Sequence, residues 1–362
     1  MIKYWYLLIT GLILFVVFPV NIYLCRQLRK IKYIKEMKNK YLSWFISLIF
    51  LLLTIILFIW NTTNGYVIML HIFFVVLLGE IIYKLVRSIT KKEYKYGQEI
   101  TLIASILVVF LYLGYGYYMA HHVVETHYEV IATKDIGVDR FRIVQVTDSH
   151  IGATMNGEDF YNYMLKINDT KPDIVVVTGD FIDDETTKED FIKACSGLGV
   201  LDTNYGVYFV YGNHDEGYTR NNDGLREELL KNNVTILEDE GLDITGNIYL
   251  LGRKDKRYKD RLSIKELVSS IDSNKYIIDL NHQPNDYKNE EGLVDLVISG
   301  HTHGGQMFPL QYIDLSGNNQ MYGIEQRGNT TFIVSSGIGD WAVKFKTIAK
   351  AEYVVIDIIN NN

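Results

Sequence analysis

The stretch Phe141-Arg-Ile-Val-Gln-Val-Thr-Asp-Ser-His150 decides how the larger part of this chain is interpreted. Its first seven residues favour a β-strand, and the run passes directly into a polar turn. The turn holds a carboxylate and an imidazole two residues apart, so both lie on the same side of an extended chain. The same succession of an apolar run and a polar turn recurs as far as residue 358. We therefore expect an α/β domain whose chemistry lies at the ends of its strands.

Further runs rich in β-branched residues predict the other strands of this domain. The predicted strands are 141–147, 174–178, 207–211, 234–237, 248–251, 276–280, 296–299, 331–335 and 353–358. Helical periodicity is found between some of them, in 158–169, 188–198, 225–232 and 264–272. The run 174–177 is apolar throughout, which is typical of a strand whose sheet is covered on both faces. The pattern predicts helices layered on a central sheet or pair of sheets.

The first third of the chain has a different composition. It contains four long apolar runs, 4–25, 41–60, 66–83 and 100–120. Each is long enough to supply the roughly 20 helical residues that cross a bilayer core of about 30 Å. A cleaved signal peptide is the alternative for the first run, but its apolar stretch exceeds the ~7–15 residues of such peptides. We predict a four-helix transmembrane domain over residues 1–127 and an α/β domain over 128–362.

The charge differs sharply between these two parts. Residues 1–127 hold 13 Lys or Arg and 5 Asp or Glu, whereas 128–362 hold 23 and 38. The acidic second part would repel a phosphate backbone, so no nucleic-acid binding is expected. Two cysteines, Cys25 and Cys195, exclude a disulfide-stapled scaffold.

The distribution of basic residues predicts an orientation in the membrane. Lys and Arg concentrate in 26–40 and 84–95, whereas 61–65 and 121–133 contain none. Because basic loops stay in the cytoplasm, the first and third loops are predicted to be cytoplasmic. The chain would then be a multi-pass protein of the cell membrane with its second domain on the outer side.

All histidines of the second domain follow predicted strands. They are His150, His214, His282, His301 and His303, each within two residues of a Gly, Asp or Asn. Asp148, Asp180, Asp183, Asn213 and Asp215 occupy the same kind of turn. Imidazole and carboxylate ligands suit Mn, Fe or Zn. The candidates are too many for one tetrahedral ion, but they suffice for two ions that share a bridging carboxylate.

The order of these turns resembles the calcineurin-like metallophosphoesterase family. The matching blocks are D-x-H at 148–150, G-D-x-x-D at 179–183, G-N-H-D at 212–215, the lone His282 and G-H-x-H at 300–303. The resemblance covers about 141–359, and the longer block GHTHGGQ at 300–306 resembles the membrane-anchored branch. It implies an α-β-β-α sandwich with the site at the strand ends.

The resemblance also implies a role for each residue. One metal would be held by Asp148, His150, Asp180 and His303. A second would be held by Asp180, Asn213, His282 and His301, with Asp180 bridging the pair. A hydroxide between the metals would attack phosphorus, and His214 would act as general acid at the leaving oxygen. Either Asp183 or Asp215 would orient His214, and the sequence leaves both open.

The function predicted from these observations is a membrane-tethered, metal-dependent phosphoesterase that hydrolyses phosphodiester or pyrophosphate bonds. Lipid-linked esters are attractive substrates because the spans keep the site close to membrane lipids. The alternatives are a tethered phosphodiesterase of broad specificity for soluble substrates, and a non-catalytic membrane sensor or scaffold with a phosphoesterase fold. The segment 340–346 departs from the branch pattern, because it lacks proline and has Lys344 where an Arg is expected.

Overall fold

The computed structural model describes residues 16–215, 224–312 and 317–361. This part of the chain divides into two compact units, with the boundary between Tyr115 and Gly116. Of the predicted span 4–25, residues 4–15 lie outside the described part of the chain.

The first unit is built from helices. They are α1 (Phe18–Leu28), α2 (Lys32–Lys35), α3 (Lys40–Trp60), α4 (Thr62–Thr90) and α5 (Gly97–His121), whose last residues belong to the second unit. The predicted spans 41–60, 66–83 and 100–120 fall within α3, α4 and α5. Within the described residues, α4 with 29 residues and α5 with 25 are long and apolar enough to cross a membrane. Four spanning helices remain a prediction.

The acidic residue of α4, Glu80, is surrounded by cations and a hydrogen-bond donor. Glu80 forms ion pairs with Lys30 at 2.7 Å and Lys84 at 3.0 Å, and it accepts a hydrogen bond of 2.8 Å from the hydroxyl of Tyr23. A carboxylate in an apolar helix is tolerated when cations and donors surround it in this way.

The second unit contains two six-stranded mixed sheets. In chain order the strands are β1 (Val124–Ile131), β2 (Arg140–Val146), β3 (Ile174–Thr178), β4 (Val207–Val210), β5 (Val234–Ile236), β6 (Glu240–Asp243), β7 (Ile248–Gly252), β8 (Tyr276–Leu280), β9 (Leu296–Ser299), β10 (Gly323–Arg327), β11 (Thr330–Val334) and β12 (Glu352–Ile359). The first sheet has the order β1-β12-β2-β3-β4-β5 and the second β10-β11-β9-β8-β7-β6. Strands β2 to β5 run parallel, as do β7, β8, β9 and β11.

Helices cover the outer faces of both sheets. They are α6 (Gly157–Asn168), α7 (Lys188–Gly199), α8 (Gly224–Lys231), α9 (Ile264–Val268) and α10 (Tyr287–Glu290). Phe160 of α6 packs with Val144 of β2 in one apolar cluster, and Tyr287 of α10 packs with Phe332 of β11 in another. A third cluster lies between the sheets and is formed by side chains of β2, β3, β8 and β9 among others. Burial of these faces supplies the main stabilisation of the sandwich.

The structure confirms the α/β domain with layered mixed sheets, and each predicted strand corresponds to an observed one. Strands β1, β6 and β10 were not predicted, and all three are edge strands. Their side chains alternate between partly buried and exposed, as in β10, or are mostly polar, as in β6. An edge strand of this kind lacks the apolar run by which the central strands are recognised.

Candidate metal centre

The carboxyl ends of the parallel strands of both sheets bring the predicted ligands together. Asp148 and His150 follow β2, Asp180 follows β3, Asn213 follows β4, His282 follows β8, and His301 and His303 follow β9. The amide of Gln145 joins the two sheets beneath them, because its Nε2 donates to Thr178 Oγ1 at 2.9 Å and to the carbonyl of Ser299 at 2.8 Å. The site therefore depends on the relative position of the two sheets.

A first group of ligand atoms comes from Asp148, His150 and His303, and these atoms lie within 4.8 Å of one another. His303 Nε2 is 3.7 Å from Asp148 Oδ1, and His150 Nε2 is 3.7 Å from Asp180 Oδ2. His150 Nε2 is buried and has no hydrogen-bond partner among the described residues. A buried ring nitrogen aimed at carboxylates fits a ligand to a cation.

A second group comes from Asp180, His282 and His301. His282 Nδ1 lies 2.7 Å from the carbonyl oxygen of Thr178 and therefore carries the hydrogen of that bond. Its Nε2 then faces Asp180 Oδ2 at 3.2 Å and Asn213 Oδ1 at 3.3 Å. His301 Nδ1 is a further buried nitrogen with no partner in the ranges that the structure covers. Lone pairs that converge on one point require a positive charge between them, so this group also fits a cation.

The pKa shifts of these groups describe the same charge balance. Burial lowers the pKa of His150, and burial together with His282 lowers the pKa of His301 to about 3. Burial opposes a charge on His282 as well, but the Asp180 carboxylate outweighs it and raises the pKa of His282 to about 10. Burial alone would raise the pKa of Asp180, yet the facing imidazoles hold it well below its usual range. The lowered pKa values of His150, His301 and Asp180 favour neutral rings beside an ionised carboxylate, which are the protonation states of metal ligands. The raised pKa of His282 shows that positive charge is favoured next to Asp180.

The backbone at the site is held in an uncommon conformation. Asp148, His150, Asp180, His301 and His303 all have positive φ, between 38° and 72°. A left-handed conformation in a residue other than glycine is uncommon and persists only where the surroundings enforce it. Its concentration at the strand ends indicates that the fold holds these side chains in position against local preference.

Asp183 lies beside two of the imidazoles. Its Oδ2 is 3.1 Å from His150 Nδ1, and its Oδ1 is 3.6 Å from His214 Nδ1. Burial would lower the pKa of His214, but Asp183 and Asp180 outweigh this effect and raise it. His214 is partly exposed, unlike the ring of His150, so it can reach a substrate.

Asp215 has a different environment. Its Oδ1 accepts hydrogen bonds from the backbone amides of Phe181 and Ile182 at 2.9 and 3.1 Å, and its Oδ2 accepts one from Gly212 at 2.9 Å. The carboxylate therefore ties the loop after β4 to the loop after β3. Of the two aspartates that the sequence left open, Asp183 is the one at ion-pair distance from His214.

Sequence reasoning missed the partners behind His303. Its Nδ1 lies 3.2 Å from Asp340 Oδ1, and the ammonium of Lys346 lies 3.0 Å from the same oxygen. Lys346 is fully buried and also donates to the carbonyl of Ser336 at 2.7 Å. The sequence had suggested Lys344 for a role in this segment, whereas the buried lysine is Lys346. A signal existed in the unusual pairing of an acid and a lysine within one short apolar segment.

Comparison with known proteins supports this geometry. Residues 141–305 match the family described as calcineurin-like phosphoesterase. An uncharacterized metallophosphoesterase of Aquifex aeolicus is 31% identical over 225 residues, which cover 60% of this chain and 84% of that protein. The uncharacterized metallophosphoesterase YkuE of Bacillus subtilis is 29% identical, over 76% of this chain and the whole of the relative.

A further similarity concerns the membrane. A zebrafish (Danio rerio) protein named as a transmembrane protein with a metallophosphoesterase domain is 27% identical, over 58% of this chain. The chain spans about half of that relative, 51% of its length.

The packing around Asp148 yields a prediction for metal binding. A Cβ added at Gly300 would overlap Asp148 Oδ2 and Thr147 Oγ1, so Gly300→Ala must displace the Asp148 carboxylate. We expect the folded variant to bind less Mn or Zn than the wild-type chain, measured by metal analysis of the purified chain. Gly224→Ala is the matched control, because nothing lies within 4 Å of its added Cβ. Full metal content in a folded Gly300→Ala protein would contradict the ligand role of Asp148.

Proposed function

The chain belongs to the calcineurin-like metallophosphoesterase family, and on that premise we propose that it is a membrane-tethered hydrolase that cleaves phosphodiester or pyrophosphate bonds with two divalent cations. One observation carries the proposal: two groups of imidazoles and carboxylates are joined at Asp180, whose Oδ2 lies 3.7 Å from His150 Nε2 of the first group and 3.2 Å from His282 Nε2 of the second. Family membership and these groups together support the use of divalent metal by a phosphoesterase.

We assign the ligands as two overlapping sets. The first comprises Asp148, His150, Asp180 and His303, and the second Asp180, Asn213, His282 and His301. Mn, Fe and Zn all suit such donors. Bound cations supply a water nucleophile of lowered pKa and neutralise charge on the phosphoryl oxygens.

Residues of the chain itself orient the ligand rings and donate a proton to the leaving oxygen. His214, whose pKa is raised beside Asp183, donates a proton to the leaving oxygen as the P–O bond breaks. Asp183 orients that ring through Nδ1, which leaves Nε2 for the substrate. The hydrogen bonds that His282 Nδ1 donates to the Thr178 carbonyl and that His303 Nδ1 donates to Asp340 Oδ1 fix the orientation of two ligand rings.

The membrane part of the proposal has separate support. Helices α4 and α5 are long and apolar enough to span, and relatives carry the word transmembrane in their names. We propose four spans within a domain of residues 1–127, a catalytic domain over 128–362, and an outer location for the latter, because the basic loops 26–40 and 84–95 favour the cytoplasm.

The substrate class is the finer part of the proposal. Assignment to the membrane-anchored branch on the GHTHGGQ block favours a phosphoester linked to a lipid, which would remain close to the anchor. A tethered phosphodiesterase that acts on soluble substrates is the second candidate. The segment 340–346 lacks the proline and the Arg expected of the membrane-anchored branch, and this difference weakens the analogy that favours a lipid substrate. A non-catalytic scaffold is disfavoured because every ligand position retains a ligand residue.

Metal-dependent turnover tests the hydrolase. Asp180→Asn removes the charge shared by both ligand sets, so we expect loss of metal and a decrease in turnover of at least ~10³-fold. The measurement is hydrolysis of bis-(p-nitrophenyl) phosphate and p-nitrophenyl phosphate by the detergent-solubilised full chain, stripped and reloaded with Mn, Fe or Zn.

Asp202→Asn is the control for this change, because Asp202 is an exposed aspartate outside the site. It should retain full activity. Equal turnover by the stripped chain and the loaded chain would rule out a metal-dependent enzyme.

A leaving-group series tests His214. His214→Ala should lower kcat by roughly 10²–10⁴-fold for an ester with an alkyl leaving group, since that oxygen needs a proton. The loss should be much smaller for nitrophenolate, which leaves without one, and metal content should be unchanged. Asp183→Asn should give the same pattern with a smaller loss. A uniform loss for all leaving groups would show that His214 is not the general acid.

Cysteine labelling tests the topology. In a chain with Cys25 and Cys195 replaced by serine, Thr63→Cys and Asn361→Cys should react with an impermeant maleimide from outside the cell. Lys38→Cys should react only after the membrane is opened. All three positions are exposed in the structure. Labelling of Lys38→Cys in intact cells, with protection of the other two, would invert the orientation.

A further inference from the structure

The second unit carries an exposed apolar surface that the metal centre does not use. We call it the aromatic face and define it by Phe308, Tyr312, Trp341 and Ile348, which are 60%, 77%, 49% and 37% exposed. Large apolar side chains grouped on a surface mark a site of contact with a protein or a membrane. Two of the four, Tyr312 and Trp341, are aromatic residues with a polar atom. Such residues are enriched at interfaces where one end of the side chain meets an apolar environment and the other end meets water.

Two segments form this face and are bonded to each other. The backbone amide of Thr347 donates to the carbonyl of Gln306 at 2.8 Å, and Gln306 Nε2 donates to the carbonyl of Val343 at 2.7 Å. The backbone amide of Phe308 donates to Thr347 Oγ1 at 3.2 Å. The face is therefore one surface, although its residues come from 306–312 and 341–348.

The charge of these segments differs from that of the rest of the unit. Neither 306–312 nor 341–351 contains an acidic residue. The latter brings the partly exposed Lys344 and the exposed Lys350 to the surface, whereas Lys346 is buried against Asp340. The unit as a whole is strongly acidic. A locally basic and aromatic surface complements the anionic head groups of a bilayer.

The same segment is packed on the end of an apolar helix. The amide of Lys346 donates to the carbonyl of Gly116 at 2.9 Å, and the ring of Phe345 lies 6.4 Å from the ring of Tyr117. Tyr117 and Tyr118 in this last part of α5 are about half exposed. Tyrosines at the end of a spanning helix mark the level of the membrane interface. The aromatic face thus begins where α5 would leave the bilayer.

The other end of the segment reaches the metal centre. Asp340 contacts His303, and the ring of the next residue, Trp341, lies 5.3 Å from the ring of His214. One exposed side chain of the face therefore lies beside the group assigned as general acid. A substrate with an apolar tail could contact this surface continuously while its phosphate is at the metals.

We propose that the aromatic face inserts into the bilayer interface and that the metal centre takes its phosphoester from the lipids of that bilayer. The second half of this inference rests on the proposed hydrolase. Hydrolysis consumes one water, breaks one P–O bond, and places the proton of His214 on the leaving oxygen. The lipid tail stays in the membrane throughout.

Fluorescence of Trp341 tests the surface independently of activity. The full chain contains four tryptophans. Replacing Trp5, Trp44 and Trp60 by Phe leaves Trp341 as the only tryptophan. In nanodiscs of phosphatidylcholine and phosphatidylglycerol, brominated acyl chains should quench its emission at least about twofold, and iodide should quench it weakly. Strong quenching by iodide with none by bromine would overturn the proposal. Shielding from both, with cross-linking between copies, would assign the face to self-association and overturn it too.

A pair of substrates tests the route. Phe308→Ser combined with Tyr312→Ser should lower hydrolysis of phosphatidic acid or phosphatidylglycerol in the nanodisc roughly tenfold, because two interfacial side chains are lost. Hydrolysis of bis-(p-nitrophenyl) phosphate should be unchanged. Tyr205→Ser is the control, an exposed tyrosine that precedes β4 and so lies at the amino end of the strands, whereas the metal centre follows their carboxyl ends.

The outcomes separate the two proposals. If the metal-loaded wild-type chain hydrolyses no phosphoester, the proposed function is contradicted. The quenching of Trp341 still decides, in that case, whether the aromatic face inserts into the bilayer. Hydrolysis of the soluble ester without hydrolysis of either lipid overturns only the lipid route. An equal loss of lipid and soluble-ester hydrolysis in the double variant also overturns only the lipid route.

Discussion

The buried carboxylate of Asp180 is the constraint on which the rest of the site depends. An ionised carboxylate inside a protein is costly unless positive charge and donors surround it. Here the backbone amide of His214 donates to one oxygen, and ring nitrogens of His150 and His282 face the other. Those residues come from different strands of two sheets, so the carboxylate can be satisfied only if the sheets are in register. The left-handed backbone at the strand ends, at a cost of about 1–3 kcal/mol for each such residue, is sustained by the same packing.

The central strands could be predicted from sequence because each is a run that is buried on both faces. Val175, Val176 and Val177 of β3 show this plainly, since all are inaccessible to solvent or nearly so. The edge strand β1 could not be recognised in this way. Its glutamates, Glu125 and Glu129, alternate with apolar residues, and its pairing with β12 depends on a segment more than 200 residues away. Tertiary context, which a local pattern does not contain, decides such strands.

The candidate site shows a similar division. The grouping of these side chains at strand ends was predictable because chemistry restricts which residue types suit a cation and topology restricts where they lie. The choice between Asp183 and Asp215 was not, since each follows a strand within a few residues of a predicted ligand. It depends on which carboxylate lies near the ring: Asp183 Oδ1 is 3.6 Å from His214 Nδ1, whereas both oxygens of Asp215 accept hydrogen bonds from backbone amides. The roles of Asp340 and Lys346 were also hidden, because burial of a lysine against an acid is a property of the folded packing alone.

The position of β12 has a consequence for biosynthesis. This strand follows every other strand in the chain, yet it lies inside the first sheet, between β1 and β2. Strand β1, which comes directly after α5, has no neighbour in that sheet until residues 352–359 have been made. The edge of β2 stays open for the same period, and open edges recruit other chains or proteases. A ribosome that stops before this strand would leave a half-built sheet joined to apolar helices, so faithful completion of translation becomes a condition for the domain to escape degradation.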